Sequence, residues 1–434
     1  MRYLRYIILL FAVTFAACDD EEKFAEYANS PIKSVACVPL FFPQPVSEGA
    51  VISVIYTDNV YNFIKINSDG TYKTTPLSFT WSSAAQSFPM PGEGDENQPV
   101  APQNPDVAQQ NISVDLSEGT FHKNSSDEYY LDYYSSNDFG NQYFAVVKID
   151  KDCNILFQID STVNAMGGGG RMDEKQSVTK FPTAGTPLNN GGYAMILKAP
   201  NMGMFQNSDY NLILRIIDSQ GKYVADHTLE FSENIKIVAV TNANNNIAIY
   251  YQISDNTCFY NVYTEEGELI NKVQIESNSY IFDYIAYHEN VLLSCYNYET
   301  QQFYLQQVNE NGGVDQTIDF DQATVLCNIS EIDGKRCLAG FTTPDVFNNF
   351  YTSTEAFLQS IDNLNGLIIP DIDNQPNETI ITDYNNGVVI YAVFKDANGT
   401  YTIFLTQLTP VTHSNLGDNI YIYRTDDLKK LEVN

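Results

Sequence analysis

Three observations predict an all-β fold, a β-propeller of about seven four-stranded blades. A short pattern recurs along the chain: an apolar or aromatic strand carrying a polar residue such as Lys, Arg or Gln, then Asn or Asp, then a tight turn. Its turn residues fall at positions 70, 154, 221, 267, 312, 366 and 417, a base period of about 45 to 54 residues; the first interval, of 84, returns to 49 without a 35-residue insertion, and the second, of 67, is longer than the base period. No unit carries a sustained helical period, and each reads as four short strands separated by Asn-, Ser-, Asp- and Gly-rich turns. Four-stranded units stacked radially leave only short edges. An edge-to-edge series of β-sandwiches is the competing architecture, and the irregular first and last units leave six or eight blades compatible with the pattern.

The chain begins with a targeting segment. Arg2 and Arg5 accompany an almost continuous apolar stretch over residues 6–15, which is of signal-peptide length and too short to span a bilayer. It ends in Phe15-Ala16-Ala17-Cys18, small residues ahead of a cysteine. This resembles the lipobox of bacterial lipoproteins, with Phe15 standing where Leu is usual. The resemblance implies a signal peptide over 1–17 and a diacylated Cys18 as the mature N-terminus. Acyl chains on one cysteine anchor stably, since each buried methylene contributes about 0.8 kcal/mol. The other reading is an ordinary secretory signal with Cys18 merely near the cut.

Asp19-Asp20-Glu21-Glu22 comes directly after the cysteine. Enteric-type sorting would take an Asp there as inner-membrane retention, whereas in the Bacteroides group an acidic run at this place resembles the signal for export to the cell surface. The Asn- and Tyr-rich, Lys-poor composition is similar to the second group. Residues 18–33 are then an acidic lipidated tether and 34–434 the propeller, with the protein anchored in the outer membrane and facing the exterior.

The propeller units come next. Their copies are YNFIKINSDG (61–70), FAVVKIDKDCN (144–154), NLILRIIDSQG (211–221), FYNVYTEEG (259–267), FYLQQVNENG (303–312), AFLQSIDNLNG (356–366) and a degraded one ending at Gly417. The clearest complete unit, 235–275, divides into IKIVAV, NIAIYYQI, CFYNVY and LINKVQI. The second strand of each unit tends to be apolar on both faces, as in AVISVIY, GYAMILKA, NVLLSCY, RCLAGFT and GVVIYAVF. Such a strand must be covered on both sides. Ring closure is expected to pair the terminal segments, with VACVPLFF near the N-terminus and IYIYRTDD near the C-terminus entering the first and last blades.

In such a ring, connections from the second to the third strand and from the fourth strand to the next blade leave from one face. The enlarged segments sort onto it: 81–115, a Pro/Asn/Gln-rich insertion, and 164–174 between blades, with 199–209 and 342–355 joining second to third strands. The opposite face has short turns such as SDG, SQG, EEG and NGG, with 41–50 and the run after Thr183 as exceptions. Long loops without structure of their own are usually functional or disordered. Trp81, the single tryptophan, Arg171 after four consecutive glycines, Phe205, Phe347, Phe350 and Tyr351 are therefore the candidate binding residues. Aromatic rings supply apolar area and the neighbouring Asn amides supply paired donors and acceptors, which is what a sugar or planar ligand needs. Alternatively, these residues pin their own loops to the blade tops.

Composition narrows the function. The chain carries 23 Lys and Arg against 54 Asp and Glu, a formal charge of −31, on 44% hydrophobic and 13% aromatic residues. That apolar share excludes a disordered acidic tail, and the charge excludes readers of nucleic acid or anionic lipid. Cys37, Cys153, Cys258, Cys295, Cys327 and Cys337 form no CxxC and sit mostly in apolar runs, so buried free thiols are favoured over disulfides. The four His, at 122, 227, 288 and 413, are scattered and show no metal spacing. Gly167 to Gly170 leads into Arg-Met-Asp-Glu instead of Lys-Ser/Thr, and so makes no phosphate cradle.

Asp150-x-Asp152-x-Asn154 opens like a calcium loop, yet Ile155 and Ser161 stand where Gly and Glu are needed, which favours a hairpin turn. Residues 67–72 faintly resemble the Asp box of sialidase propellers but lack its Trp and read as a turn, and Asp160-Ser161-Thr162 resembles the O-glycosylation acceptor of the Bacteroides group. No catalytic residue, cofactor or metal is assigned.

Three functions remain. The first is a noncatalytic surface lipoprotein that captures a glycan, cofactor or protein on the loop-rich face and hands it to an outer-membrane transporter. The second is a propeller-type glycosidase or polysaccharide lyase using carboxylates and tyrosines in the central channel. The third is a protein-interaction scaffold.

Overall fold

The computed structural model describes residues 33–428 except 38, 58–59, 80–119, 125, 137–140, 165–180, 199–210, 231–235, 244–245, 254–257, 275–278, 288–289, 310–312, 344–363, 375, 382–386 and 408–418. The expected signal peptide, Cys18 and the acidic run lie outside these residues.

Seven four-stranded antiparallel sheets account for all 28 strands of the described chain, and they contain no α-helix. Strand β1 (Lys33–Ala36) does not join the sheet of its nearest neighbours in sequence. Blade 1 contains β2 (Gln44–Val46), β3 (Ala50–Thr57), β4 (Val60–Asn67) and β5 (Tyr72–Leu77). Blade 2 contains β6 (Thr120–Lys123), β7 (Tyr129–Ser136), β8 (Asn141–Ile149) and β9 (Ile155–Asn164). Blade 3 contains β10 (Phe181–Pro187), β11 (Tyr193–Lys198), β12 (Asn211–Ile217) and β13 (Tyr223–Glu230). Blade 4 contains β14 (Lys236–Ala243), β15 (Asn246–Gln252), β16 (Cys258–Tyr263) and β17 (Leu269–Gln274). Blade 5 contains β18 (Ser279–Tyr287), β19 (Asn290–Asn297), β20 (Gln302–Val308) and β21 (Val314–Phe320). Blade 6 contains β22 (Ala323–Ile332), β23 (Lys335–Thr343), β24 (Asn365–Ile369) and β25 (Ile380–Ile381). Blade 7 runs β26 (Val388–Lys395), β27 (Tyr401–Gln407), β28 (Asn419–Thr425) and then β1, the N-terminal strand.

The ring closes on that last pair. Lys33, Ser34, Val35 and Ala36 lie opposite Ile422, Tyr421, Ile420 and Asn419, so the N-terminal segment forms the outer strand of the C-terminal blade. The expected pairing of the two terminal segments is observed.

Buried side chains divide into seven clusters, one at each junction between neighbouring blades. Alternation along the second strands explains their two apolar faces. Tyr193, Met195 and Leu197 of β11 pack against blade 2, while Ala194 and Ile196 pack against blade 4. Val291, Leu293 and Cys295 of β19 face blade 4, and Leu292 faces blade 6. The polar residue inside the repeated third-strand pattern ties blades together in two cases. Lys65 Nζ donates to Asp152 Oδ1 at 2.9 Å in the turn of blade 2. Lys148 Nζ donates to the Gly191 carbonyl of blade 3 at 2.8 Å and pairs with Glu128 at 2.8 Å.

Two of the seven turn anchors and one strand assignment need correction. Gly366 lies inside β24, the third strand of blade 6, and the residues expected to form that strand, 356–363, are outside the described ones. Gly417 falls between the second and third strands of blade 7, because that blade takes its fourth strand from the other end of the chain. For the same reason GVVIYAVF belongs to a first strand, β26, and not a second. The run after Thr183 is itself strand, continuing in β10 to a tight turn at 188–192, and the stretch 41–50 holds β2 and a turn. Cys37, Cys153, Cys295, Cys327 and Cys337 are buried free thiols, as expected.

Candidate functional site

Successive connections in an antiparallel blade alternate between its two ends, so the strand order fixes which loops share a face. The long intervals 77–120, 164–181, 198–211, 343–365 and 407–419 all come after a second or a fourth strand and leave from the same end. The opposite end carries mostly tight hairpins, with 369–380 the longest interval. Trp81, Arg171, Phe205, Phe347, Phe350 and Tyr351 all lie in the long intervals and outside the described residues. The strand ends flanking them bring these intervals to one face.

The innermost strands β2, β6, β10, β14, β18, β22 and β26 surround a central cavity of about 670 Å³. That volume suits a small organic ligand. A β-bulge interrupts the inner strand of five blades, between Pro182 and Ala184, Ile237 and Ala239, Ile281 and Asp283, Leu326 and Asn328, and Ile390 and Ala392. A bulge adds a residue on one side of a ladder and re-aims the side chains after it. In blades 5 and 6 the residues immediately after the bulge are Asp283 and Asn328, and both line the cavity.

Asp283 joins these two blades. Its Oδ2 accepts the Leu326 backbone N–H at 2.7 Å, and its Oδ1 accepts the Tyr284 N–H at 2.9 Å. Loss of hydration in the channel outweighs these two donors and pushes the carboxyl up to about 7. The Tyr284 hydroxyl is pushed far up, first by burial and then by the charges of Asp132 and Asp283, so it remains a donor. Cys327, the bulge residue of β22, is raised in the same way by burial and by Asp283. Asn328 is 4% and Ser330 9% exposed, and neither the Asn328 amide nitrogen nor the Ser330 hydroxyl has a hydrogen-bond partner within the described chain.

A second polar group sits at blade 2. Thr120 Oγ1 lies 2.7 Å from His122 Nε2 and donates to the Asp132 carboxylate, which also accepts from the Tyr193 hydroxyl of blade 3. The Asp132 carboxylate is 3.6 Å from the same Nε2. A nucleophile–base–orienter relay needs the nucleophile and the carboxylate on opposite ring nitrogens. Here both crowd Nε2, so the cluster links two blades without forming an acyl-transfer relay. Among the described residues, no group of three or more His, Cys, Asp or Glu is placed to hold a metal ion.

The apolar side of the cavity includes Phe41, Phe42 and Phe394. Phe42 comes from the segment that crosses from β1 to β2, and its ring meets Phe341 and Tyr391, each at 6.2 Å. Sequence reasoning missed Asp283, Asn328 and Ser330 as site residues. The signal was there, as polar residues inside otherwise apolar inner strands, but only ring closure shows that these strands face one channel.

No family model matches the chain, and no curated protein matches it. Among solved structures it is similar to a protein of unknown function from Bacteroides caccae, at 10% identity over 66% of this chain and 91% of that one, with a TM-score of 0.32. It is also similar to the β-propeller domain of the Trilobed protease from Pyrococcus furiosus, at 8% identity over 66% of this chain and 79% of that one, with a TM-score of 0.35. A puromycin hydrolase shares 10% identity over 91% of this chain and 55% of its own length, with a TM-score of 0.48. These likenesses concern the fold.

Proposed function

We propose that the chain is a surface-anchored, noncatalytic binding lipoprotein that captures its ligand at the loop-bearing end of the propeller and presents it to an outer-membrane partner. The observation that carries this reading is the sorting of the five long intervals onto one end of the ring, opposite an end made mostly of tight hairpins. A rigid scaffold that carries long loops on one face has the usual layout of a recognition surface. The lipobox-like Cys18 and the acidic run after it support attachment at the cell surface.

Two measurements test the proposal. In intact cells, protease should reach the protein, and Cys18→Ala should release it from the membrane fraction. Purified full-length chain, screened by thermal shift against neutral and acidic glycans, haem, cobalamin and flavin, should gain stability with one class. Replacing residues 201–208 or 345–362 by a Gly/Ser linker should abolish that gain. No shift with any class, or a shift that survives both replacements, overturns the loop-face reading.

A further inference from the structure

We propose that the hairpin end of the ring carries the docking surface for the membrane partner, and that this partner is a protein presenting apolar side chains edged by Lys and Arg. The inference rests on the surface-anchored reading above and gives its outer-membrane partner a place on the ring and a chemistry.

An apolar belt marks the place. Twelve large apolar side chains of the described chain are exposed, and eight of them fall at one position, the first residues of a fourth strand. Blades 2, 3 and 4 carry Ile155 and Leu156, Tyr223 and Val224, and Leu269 and Ile270 there, at 39% to 62% exposure. Blades 1 and 5 carry Tyr72 and Val314 at the same place. A bulge explains the pairs: Ile149, Ile217 and Tyr263 face Ile155, Tyr223 and Leu269, and the next residue of each fourth strand has none opposite. A bulge re-aims its extra side chain, and here both residues of each pair stand in solvent. Neighbouring blades meet along this line, since a Cβ on the turn glycine Gly221 would touch Phe157 of blade 2 and one on Gly267 would touch His227 of blade 3. Single exposed apolar residues are ordinary, but their repetition at one position on five consecutive blades is the mark of an interface.

The direction of β1 puts this end nearest the anchor. Ala36 lies opposite Asn419, where β28 starts at the loop-bearing end, and Lys33 lies opposite Ile422, farther toward the hairpins. Lys33 Nζ also donates to the Asp69 carbonyl of the 67–71 hairpin at 2.7 Å. The chain before Lys33 therefore leaves from the hairpin end, and Cys18, 15 residues upstream, is within about 50 Å of it at full extension.

Charge and shape choose the occupant. The turns 67–71, 150–154, 218–222 and 264–268 come just before the belt, stand farther out along the ring axis, and hold seven Asp and Glu against two Lys. A bilayer approaching that end would meet carboxylates before it met the belt, and a second copy would bring the same charge. A protein that reaches around the rim, with apolar side chains over the belt and cations over the turns, satisfies both layers.

Photocrosslinking in intact cells tests this with p-benzoylphenylalanine in place of Val224, on the belt, or of Thr300, in the exposed blade 5 hairpin at the loop-bearing end. The Val224 probe is expected to give one adduct with an integral membrane protein, crosslinked in a peptide that contains Lys or Arg, and the Thr300 probe none with that protein. Leu156→Ser with Ile270→Ser should lower the yield about tenfold. Glu266→Lys with Glu268→Lys should lower it about three- to tenfold. Melting should stay unchanged in both, because all four side chains are exposed. An adduct with lipid, with a second copy or with nothing at all overturns the inference, as does one whose yield ignores both double substitutions or that forms equally from Thr300. If Cys18→Ala releases the chain and the loops still bind ligand, the binding function stands although the docking surface falls. A belt adduct with a Cys18→Ala chain that stays in the membrane fraction keeps the docking surface and removes the anchor.

Discussion

Asp283 is a carboxyl on which burial and hydrogen bonding oppose one another. Two backbone N–H donors favour its charged form, yet loss of hydration in the channel prevails and brings it to about 7 from an ordinary 3.8. Between those two values the folded chain holds a proton that the unfolded chain has released. Stability present below about pH 4 is therefore lost as pH rises through 7. Relative to Asp283→Asn, the parent protein should lose on the order of 2 kcal/mol between pH 5 and pH 8, allowing for water in the channel. Asp152, held low by Lys65, and Asp396, held low by the Thr400 N–H, titrate below this window and do not mask the effect. Denaturation curves of the two proteins that run parallel from pH 5 to 8 would refute the assignment. Asp283 was illegible as a site residue in the sequence because its placement depends on a bulge and on the neighbouring blade. Asp and Asn inside SYIFDYIAY and ATVLCNISEI are local interruptions until β18 and β22 are brought side by side.

The turns were the legible element, and the physics of one hairpin explains why. At 67–71, 150–154, 218–222, 264–268 and 396–400 the first residue's N–H reaches the carbonyl four residues on, and the fourth residue's N–H returns to the first carbonyl. This is a type I turn closed by a left-handed residue. Asp150, Asp218, Thr264 and Asp396 cap it by accepting backbone N–H groups two and four residues on. So the sequence must spell a capping residue followed by Gly at regular intervals, and Cys153, at φ 61°, is the one of these five turns to use a side chain at the left-handed place. The same chemistry places the carboxylates of Asp150, Asp218 and Asp396 at hairpin ends. The pattern failed at 366 and 417 because blade 6 ends in a two-residue strand and blade 7 has no third-to-fourth hairpin to spell.

Two glycines of this class should respond differently to substitution. At Gly267, φ +80°, a Cβ would sit 2.4 Å from the His227 Cβ of blade 3, whereas at Gly399, φ +87°, it would meet nothing within 4 Å. Gly399→Ala pays only for the left-handed backbone, about 1 kcal/mol, while Gly267→Ala adds displacement of a neighbouring blade and should cost about 2–4 kcal/mol. Equal losses in urea denaturation would mean that the contact between blades 3 and 4 yields freely at this point.

At the scale of the whole molecule, seven interblade cores make each blade depend on two neighbours, so a ring differs from an open array by a single junction. The four-residue strand β1 is the N-terminal segment's contribution to that junction. Val35, 4% exposed, lies in one cluster with Val51 and Ile64 of blade 1 and with Val389, Tyr391 and Phe404 of blade 7. Its strand supplies the only backbone pairing between the N-terminal segment and the C-terminal blade among the described residues. Val35→Asp places a charge in this cluster without a partner and should cost at least about 3 kcal/mol. The loss reaches further than a local cavity, because opening the junction exposes the facing sides of blades 1 and 7 to water. Replacing residues 85–112 by a short Gly/Ser linker removes none of the described contacts and should change stability by less than about 1 kcal/mol. The two variants, unfolded side by side in urea, therefore separate closure from decoration. If the insertion variant loses as much as Val35→Asp, the ring is held by its loops, and the four-residue strand at Lys33–Ala36 is an ornament on blade 7 and not its closure.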